Sequence, residues 1–211
     1  MRAKLWIALG ALVVMALGIT AGTMALFSAQ TANSDASFMA GTLNLDSYRD
    51  QGDSIPGPMF YTTPLEGQTP GGVPGNRPTG LWAPGDTNMR VLMIRNTGSL
   101  DALLTGVRAS MHVGSSRALA DKLEVRVTTA APAGQDPFAN PGAFTVLASG
   151  TMGAFIDNDQ MFPTKQLLVH GPAPKPLYFW VRLPLDADNS YQNTSLYVDF
   201  TVYGEQKRNN P

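Results

Sequence analysis

Hydrophobic and polar residues alternate along several stretches of the chain, which is the pattern of β-strands with one buried face. The alternation is clearest at 196–202, where Leu196, Val198, Phe200 and Val202 are separated by polar or amphipathic residues. The same period of two recurs at 177–183 and 123–127. Further strand-like runs lie at 38–46, 92–94, 103–113, 143–149 and 165–170. About eight short strands are therefore predicted.

Two regions break this alternation. Residues 115–122 begin with serines and continue with good helix formers, which predicts one short helix. Residues 51–86 contain 8 Gly and 7 Pro, so they are predicted to form a long irregular insertion in which only 59–61 make ordered contacts. The insertion closes at 82–86 in a type II turn with Pro84 at its second position and Gly85 at its third. A second turn is predicted at 96–98, with positive φ at Gly98.

These elements predict an all-β protein, an antiparallel two-sheet sandwich with at most one short helix. The predicted sandwich is a single domain spanning 38–211. It is preceded by an extended segment at 26–37, which has neither Gly nor Pro and only one charge, Asp35.

The first 25 residues resemble an export signal. Arg2 and Lys4 precede an uncharged apolar run, and small residues follow it up to Ala25. This order predicts cleavage between Ala25 and Leu26. The alternative is a retained membrane anchor, because the uncharged run is nearly long enough to span a bilayer.

Composition excludes several classes of protein. The 211 residues include no cysteine, so disulfides, thiolate metal sites and cysteine nucleophiles are impossible. Fifteen basic and sixteen acidic residues, without a basic cluster, argue against a nucleic-acid partner. The 37 Gly and Pro residues argue against a helical bundle.

Candidate chemistry is sparse. His112 and His170 are far apart and neither belongs to a zinc-binding helix motif, so no catalytic, cofactor or metal residue is predicted. Two acidic pairs could supply oxygen ligands to calcium, or simply form solvated turns: Asp157 with Asp159, and Asp186 with Asp188. Asn193 begins a glycosylation tripeptide that also occurs by chance.

Three blocks of sequence resemble the TasA/camelysin family. The first is 25–28 (Ala-Leu-Phe-Ser), at the predicted cleavage site, followed by 37–45 (Ser-Phe-Met-Ala-Gly-Thr-Leu-Asn-Leu). The second joins Ala-Pro-Gly-Asp at 83–86 to Ile-Arg-Asn-Thr-Gly-Ser-Leu at 94–100. The third is 191–200, beginning Tyr-Gln-Asn-Thr-Ser-Leu. The blocks occur in the order found in the family and together cover about 50 residues.

This resemblance implies a jelly-roll sandwich, export through a signal peptidase of the SipW type, and assembly into extracellular biofilm-matrix fibres. In such fibres the N-terminal segment of one subunit completes a sheet of the next, by donor-strand complementation. Residues 26–37 would then be the donor, with Leu26 and Phe27 as its anchors, and the partner would be another copy of the chain. After cleavage no stable membrane insertion is expected.

Two other functions remain open. Camelysin is classed as a metallopeptidase, but the chain lacks a matching zinc motif, which argues against that activity here. A monomeric surface adhesin or binding module is the other alternative.

Overall fold

The computed structural model describes residues 41–49, 59–60 and 81–207. The predicted signal peptide, its cleavage site at Ala25 and Leu26, and the candidate donor segment with Phe27 lie outside the described residues. The described strands and helices belong to one compact unit that begins at Thr42. Among the described residues, no helix is both long and apolar enough to cross a membrane.

Eight strands and two short α-helices make up the described fold. The strands are β1 (Leu45–Arg49), β2 (Thr87–Asn96), β3 (Ala102–Met111), β4 (Glu124–Thr128), β5 (Val146–Thr151), β6 (Gln160–Leu168), β7 (Gly171–Arg182) and β8 (Val198–Gln206). The helices are α1 (Arg117–Lys122) and α2 (Met152–Asp157), and 3₁₀ turns lie at Pro141–Ala143 and Asn189–Tyr191.

The strands form two antiparallel sheets. One has five strands in the order β1-β2-β7-β4-β5, and the other has three in the order β6-β3-β8. Phe179 of the first sheet and Phe200 of the second pack with ring centroids 4.5 Å apart, which places the core between the sheets. The predicted all-β, two-sheet antiparallel sandwich is confirmed.

The predicted alternation corresponds to the buried face of each central strand. On β7, Leu177, Phe179 and Val181 are almost fully buried, and on β4 the same holds for Val125 and Val127. Strand ends differ from the prediction by a few residues. The largest difference is at the first strand, because β1 begins at Leu45 rather than near 38.

The first helix is confirmed and the second was not predicted. In α1, the Ser116 hydroxyl accepts a hydrogen bond from Leu119 N–H, which satisfies an unpaired donor of the first turn. In α2, the Thr151 hydroxyl caps Ala154 N–H in the same way, and Phe155 is fully buried. The expectation of at most one helix is therefore wrong, because Gly153, Phe155 and Ile156 are weaker helix formers than the residues of α1.

Of the two predicted turns, one is confirmed and one is formed for a different reason. Gly85 has φ of +97° and Asp86 N–H donates to Ala83 C=O over 3.0 Å, as a type II turn requires. Gly98 does not have positive φ, so that prediction is wrong. It is instead a close-approach glycine, because a Cβ there would lie 2.2 Å from the Thr42 carbonyl oxygen.

The irregular insertion makes ordered contact where it was expected to. Met59 and Phe60 are 2% and 4% exposed, and Phe60 forms an isolated antiparallel bridge with Val198 at the start of β8. Tyr61 and the rest of the insertion up to residue 80 lie outside the described residues.

Candidate functional site

The sandwich has two ends with different features. At the end that we call proximal, the first described residues join the β2–β3 turn: Thr97 N–H donates to Asn44 C=O over 2.8 Å. At the opposite end, called distal, the turn before β2 joins the end of β7, and Gly85 N–H donates to Leu183 C=O over 2.7 Å. The ten residues of β2 connect the two ends, which separates them by about 30 Å.

Two of the sequence blocks meet at the proximal end. Ser99 N–H and Leu100 N–H both donate to Thr42 C=O, over 2.9 and 3.2 Å, and Thr42 N–H donates to the Ser99 hydroxyl over 2.9 Å. The fully buried Asn96 holds the turn from inside, because its amide N–H group donates to Leu100 C=O and its amide oxygen accepts from Gly98 N–H. The chain is thus firmly attached where it enters the described domain.

An apolar groove of about 500 Å³ lies at the distal end. Trp82 precedes the Pro-Gly turn, Leu119 projects from α1, Leu183 follows β7, and Phe60 belongs to the bridge with β8. Of the residues that the structure describes, every side chain that lines the groove is uncharged, and most are aromatic or aliphatic. We call this cavity the distal groove.

One loop, residues 191–196, forms the polar rim of the distal groove. Tyr191 ends a 3₁₀ turn, and the Thr194 hydroxyl donates to Tyr191 C=O over 2.6 Å. Asn193 has φ of +58°, a left-handed conformation that asparagine tolerates better than most residues. The loop is tied to the first helix, because Ser116 N–H donates to Ser195 C=O over 2.7 Å. The third sequence block therefore begins at the groove.

Strand β8 forms one edge of the three-stranded sheet, beside the groove. On its inner side it pairs with β3 along nine positions, from Val198 to Gln206. On its outer side, the described residues that hydrogen-bond to it are Met59 and Phe60, both at Val198. The edge of a sheet carries backbone donors and acceptors that an added strand can use.

The two histidines lie at opposite ends of the sandwich, each with one aspartate. His112 Nε2 is 2.7 Å from an Asp199 carboxylate oxygen, and His170 Nδ1 is 3.0 Å from Asp101 Oδ1. His170 N–H also donates to Asp101 Oδ1, and these bonds lower the pKa of the Asp101 carboxyl, the backbone bond most. Neither pair acquires a third ligand within the described residues.

The first acidic pair joins neighbouring elements. The Asp157 carboxylate forms a bidentate pair with Arg117, with a shortest distance of 2.6 Å, and this contact lowers the Asp157 pKa. Asp159 accepts a hydrogen bond from the Tyr203 hydroxyl over 3.1 Å and lies 3.5 Å from the Arg108 guanidinium. These contacts connect α2 with α1 and with the three-stranded sheet.

The second acidic pair stabilises the loop beside the groove. Asp186 forms an ion pair with Lys122 over 2.9 Å, which lowers the Asp186 pKa, and Asp188 caps the 3₁₀ turn by accepting from Ser190 N–H. In the part of the chain that the structure describes, no group of three His, Asp or Glu side chains could hold a metal ion. Asp157 ends α2 and Asp188 caps a 3₁₀ turn, so members of both acidic pairs contribute to local structure.

Sequence reasoning missed the distal groove as a site. Its wall residues Trp82, Leu119 and Leu183 come from separate segments, and each has an ordinary local explanation as a turn-flanking, helical or strand-end residue. No local signal could have grouped them.

Comparison with protein-family models finds no matching family, and a search of curated proteins finds no significant match. The resemblance to the TasA/camelysin family therefore rests on the three sequence blocks. Two of those blocks lie in contact at the proximal end, and the third begins at the distal groove.

Proposed function

We propose that this chain is an exported structural subunit of extracellular fibres in a biofilm matrix. A signal peptidase of the SipW type cuts between Ala25 and Leu26, and the new N-terminal segment, 26–37, completes a sheet of the next subunit. The product is a homopolymer located in the extracellular matrix or at the cell surface. This role requires neither a catalytic centre nor a cofactor.

The separation of the two ends is the observation that carries the proposal. The chain enters the described domain at the proximal end, whereas the uncharged apolar groove and the start of the β8 edge lie about 30 Å away at the distal end. A segment that extends beyond the proximal end of one copy therefore favours contact with the distal end of another. Such a contact is heterologous, so it propagates into a filament instead of closing a dimer.

The chemistry of the chain is compatible with this assembly. The absence of cysteine means that subunits must be joined by backbone pairing and apolar burial. The candidate donor has no Pro or Gly, so every residue in it can supply both a backbone N–H and a side chain.

Electron microscopy tests the proposal directly. The chain from Leu26 to Pro211 is expected to form filaments above a threshold concentration, and removal of 26–37 is expected to abolish them. A matched control lacks 208–211 instead and should still polymerise. Filaments that persist without 26–37 would exclude donor-strand assembly, and a wild-type chain that stays monomeric at all concentrations would exclude the fibre function.

The same preparation tests the peptidase alternative. Hydrolysis of a peptide substrate that disappears on adding a metal chelator, and returns with zinc, would indicate a metallopeptidase. We expect no chelator-sensitive hydrolysis, because His112 and His170 lie at opposite ends of the sandwich with one aspartate each.

A further inference from the structure

We propose that the distal groove is the acceptor site for the Leu26 and Phe27 side chains of a second copy of the chain. This inference rests on the proposed function and adds to it the site at which the donor is held. The groove is the part of the acceptor that recognises side chains, whereas the adjacent β8 edge supplies backbone pairing.

The size and lining of the groove suit two apolar side chains. Its volume of about 500 Å³ is within the range of sites that enclose small ligands. Trp82 and Leu119 offer the aromatic and aliphatic surfaces against which a phenylalanine and a leucine pack best. The rim loop, 191–196, offers backbone and side-chain polar groups where the donor backbone would pass.

Charge favours this occupant over other parts of the chain. Among the described residues, none that lines the groove is charged, and the donor has no charged side chain before Asp35, so its other charge is the α-amino group that cleavage leaves on Leu26. An acidic or basic segment would lose its hydration in the groove without gaining an opposite charge. The nine uncharged side chains from Leu26 to Ser34 avoid that cost, whereas the Leu26 α-amino group must remain at the polar rim of the groove.

Chain length permits the contact. Phe27 lies fourteen positions before Gly41, the first described residue, and an extended segment of that length spans about 46 Å. It can therefore extend well past the proximal end of its own subunit. Phe60 lines the groove and bridges to Val198 at the start of β8, so the groove adjoins that edge.

Cysteine trapping tests the site. Because the chain has no native cysteine, only the introduced thiols can form disulfides. Two variants of the chain from Leu26 to Pro211, Ser28→Cys, which keeps both anchors, and Thr194→Cys, are mixed and oxidised, so that a disulfide between positions 28 and 194 must join two molecules. The control replaces Thr194→Cys with Met161→Cys, which is exposed on the outer strand β6. Peptide mass spectrometry identifies the joined positions.

We expect disulfides between positions 28 and 194 at a yield at least about tenfold above those between 28 and 161. Equal yields, or none with Thr194→Cys, would overturn the groove assignment if the wild type still forms filaments that depend on 26–37. A wild type without filaments would instead overturn the proposed function.

A charge placed in the groove gives a second, independent test. Leu119→Glu introduces a carboxylate into the uncharged lining, whereas Ala118→Glu adds the same charge to an exposed position of the same helix. Leu119→Glu is expected to raise the threshold concentration for filaments by about tenfold or more, because the Leu26 and Phe27 side chains would then bury less apolar surface in the groove. Ala118→Glu should match the wild type.

Thermal unfolding of both variants shows whether the domain remains folded. If Leu119→Glu is folded and polymerises as readily as Ala118→Glu, the groove does not receive the anchors. If Leu119→Glu does not fold, the cysteine-trapping experiment, which leaves that helix unchanged, decides the assignment.

Discussion

Replacing Gly98 by alanine should loosen the attachment of the N-terminal chain to the domain. A Cβ at this position would lie 2.2 Å from Thr42 O, 2.8 Å from Asn44 N and 2.9 Å from Thr42 C. All three atoms belong to the backbone, so no side-chain rotation can relieve the clash. The segment around Thr42 must move away from the β2–β3 turn.

The expected cost follows from the hydrogen bonds that this movement breaks. Thr97, Ser99 and Leu100 donate backbone N–H groups to Asn44 or Thr42, and each such bond contributes about 1 kcal/mol net. Loss of one bond sets a lower limit of about 1 kcal/mol, and loss of all three an upper limit of about 3 kcal/mol. We expect about 2 kcal/mol, which lowers the melting temperature by about 4–8 °C.

Urea unfolding of Gly98→Ala and Gly142→Ala provides the measurement with its control. A Cβ at Gly142 meets nothing within 4 Å and φ there is not positive, so that variant should be neutral or slightly more stable. If Gly98→Ala is as stable as Gly142→Ala, the close approach of Thr42 to the turn does not exist in solution. The reasoning about the proximal end would then be wrong.

Two other predictions concern buried and charged hydrogen bonds. Thr128→Val removes the buried hydroxyl that accepts from Trp180 Nε1–H over 3.1 Å and donates to Ala130 C=O. The free energy of unfolding, measured by tryptophan fluorescence, should therefore fall by about 1–3 kcal/mol, and a change below about 0.5 kcal/mol would contradict this prediction. Asp101 has a pKa lowered below its ordinary 3.8 by hydrogen bonds from His170, so its contribution to stability is present above that value and lost as pH falls through the lower folded pKa. The stability difference between wild type and Asp101→Asn should therefore shrink below pH 3.8 in urea unfolding, and a difference independent of pH would refute it.

The strands and one helix could be predicted because their signals are local. Alternation along 177–183 and 196–202 reports which side of each strand is buried, and that pattern does not depend on the partner strand. The Ser116 cap and the turn at Gly85 are likewise determined by residues three or fewer positions away. Helix α2 was missed because Gly153, Phe155 and Ile156 are weak helix formers, and the burial of Phe155 depends on the packed core.

The sequence by itself determined that this is a cysteine-free, turn-rich chain, and its alternation predicted a two-sheet β protein. It left open which elements meet at each end, because sheet order depends on burial and pairing between residues far apart in the chain. Only the tertiary structure showed that Gly98 lies against Thr42. A glycine is needed at this position because a Cβ would clash with the Thr42 backbone, and not because φ is positive. Likewise, only the structure showed that Trp82, Leu119 and Leu183 line one groove. These residues come from segments far apart in the chain, so no local sequence pattern indicates that they meet.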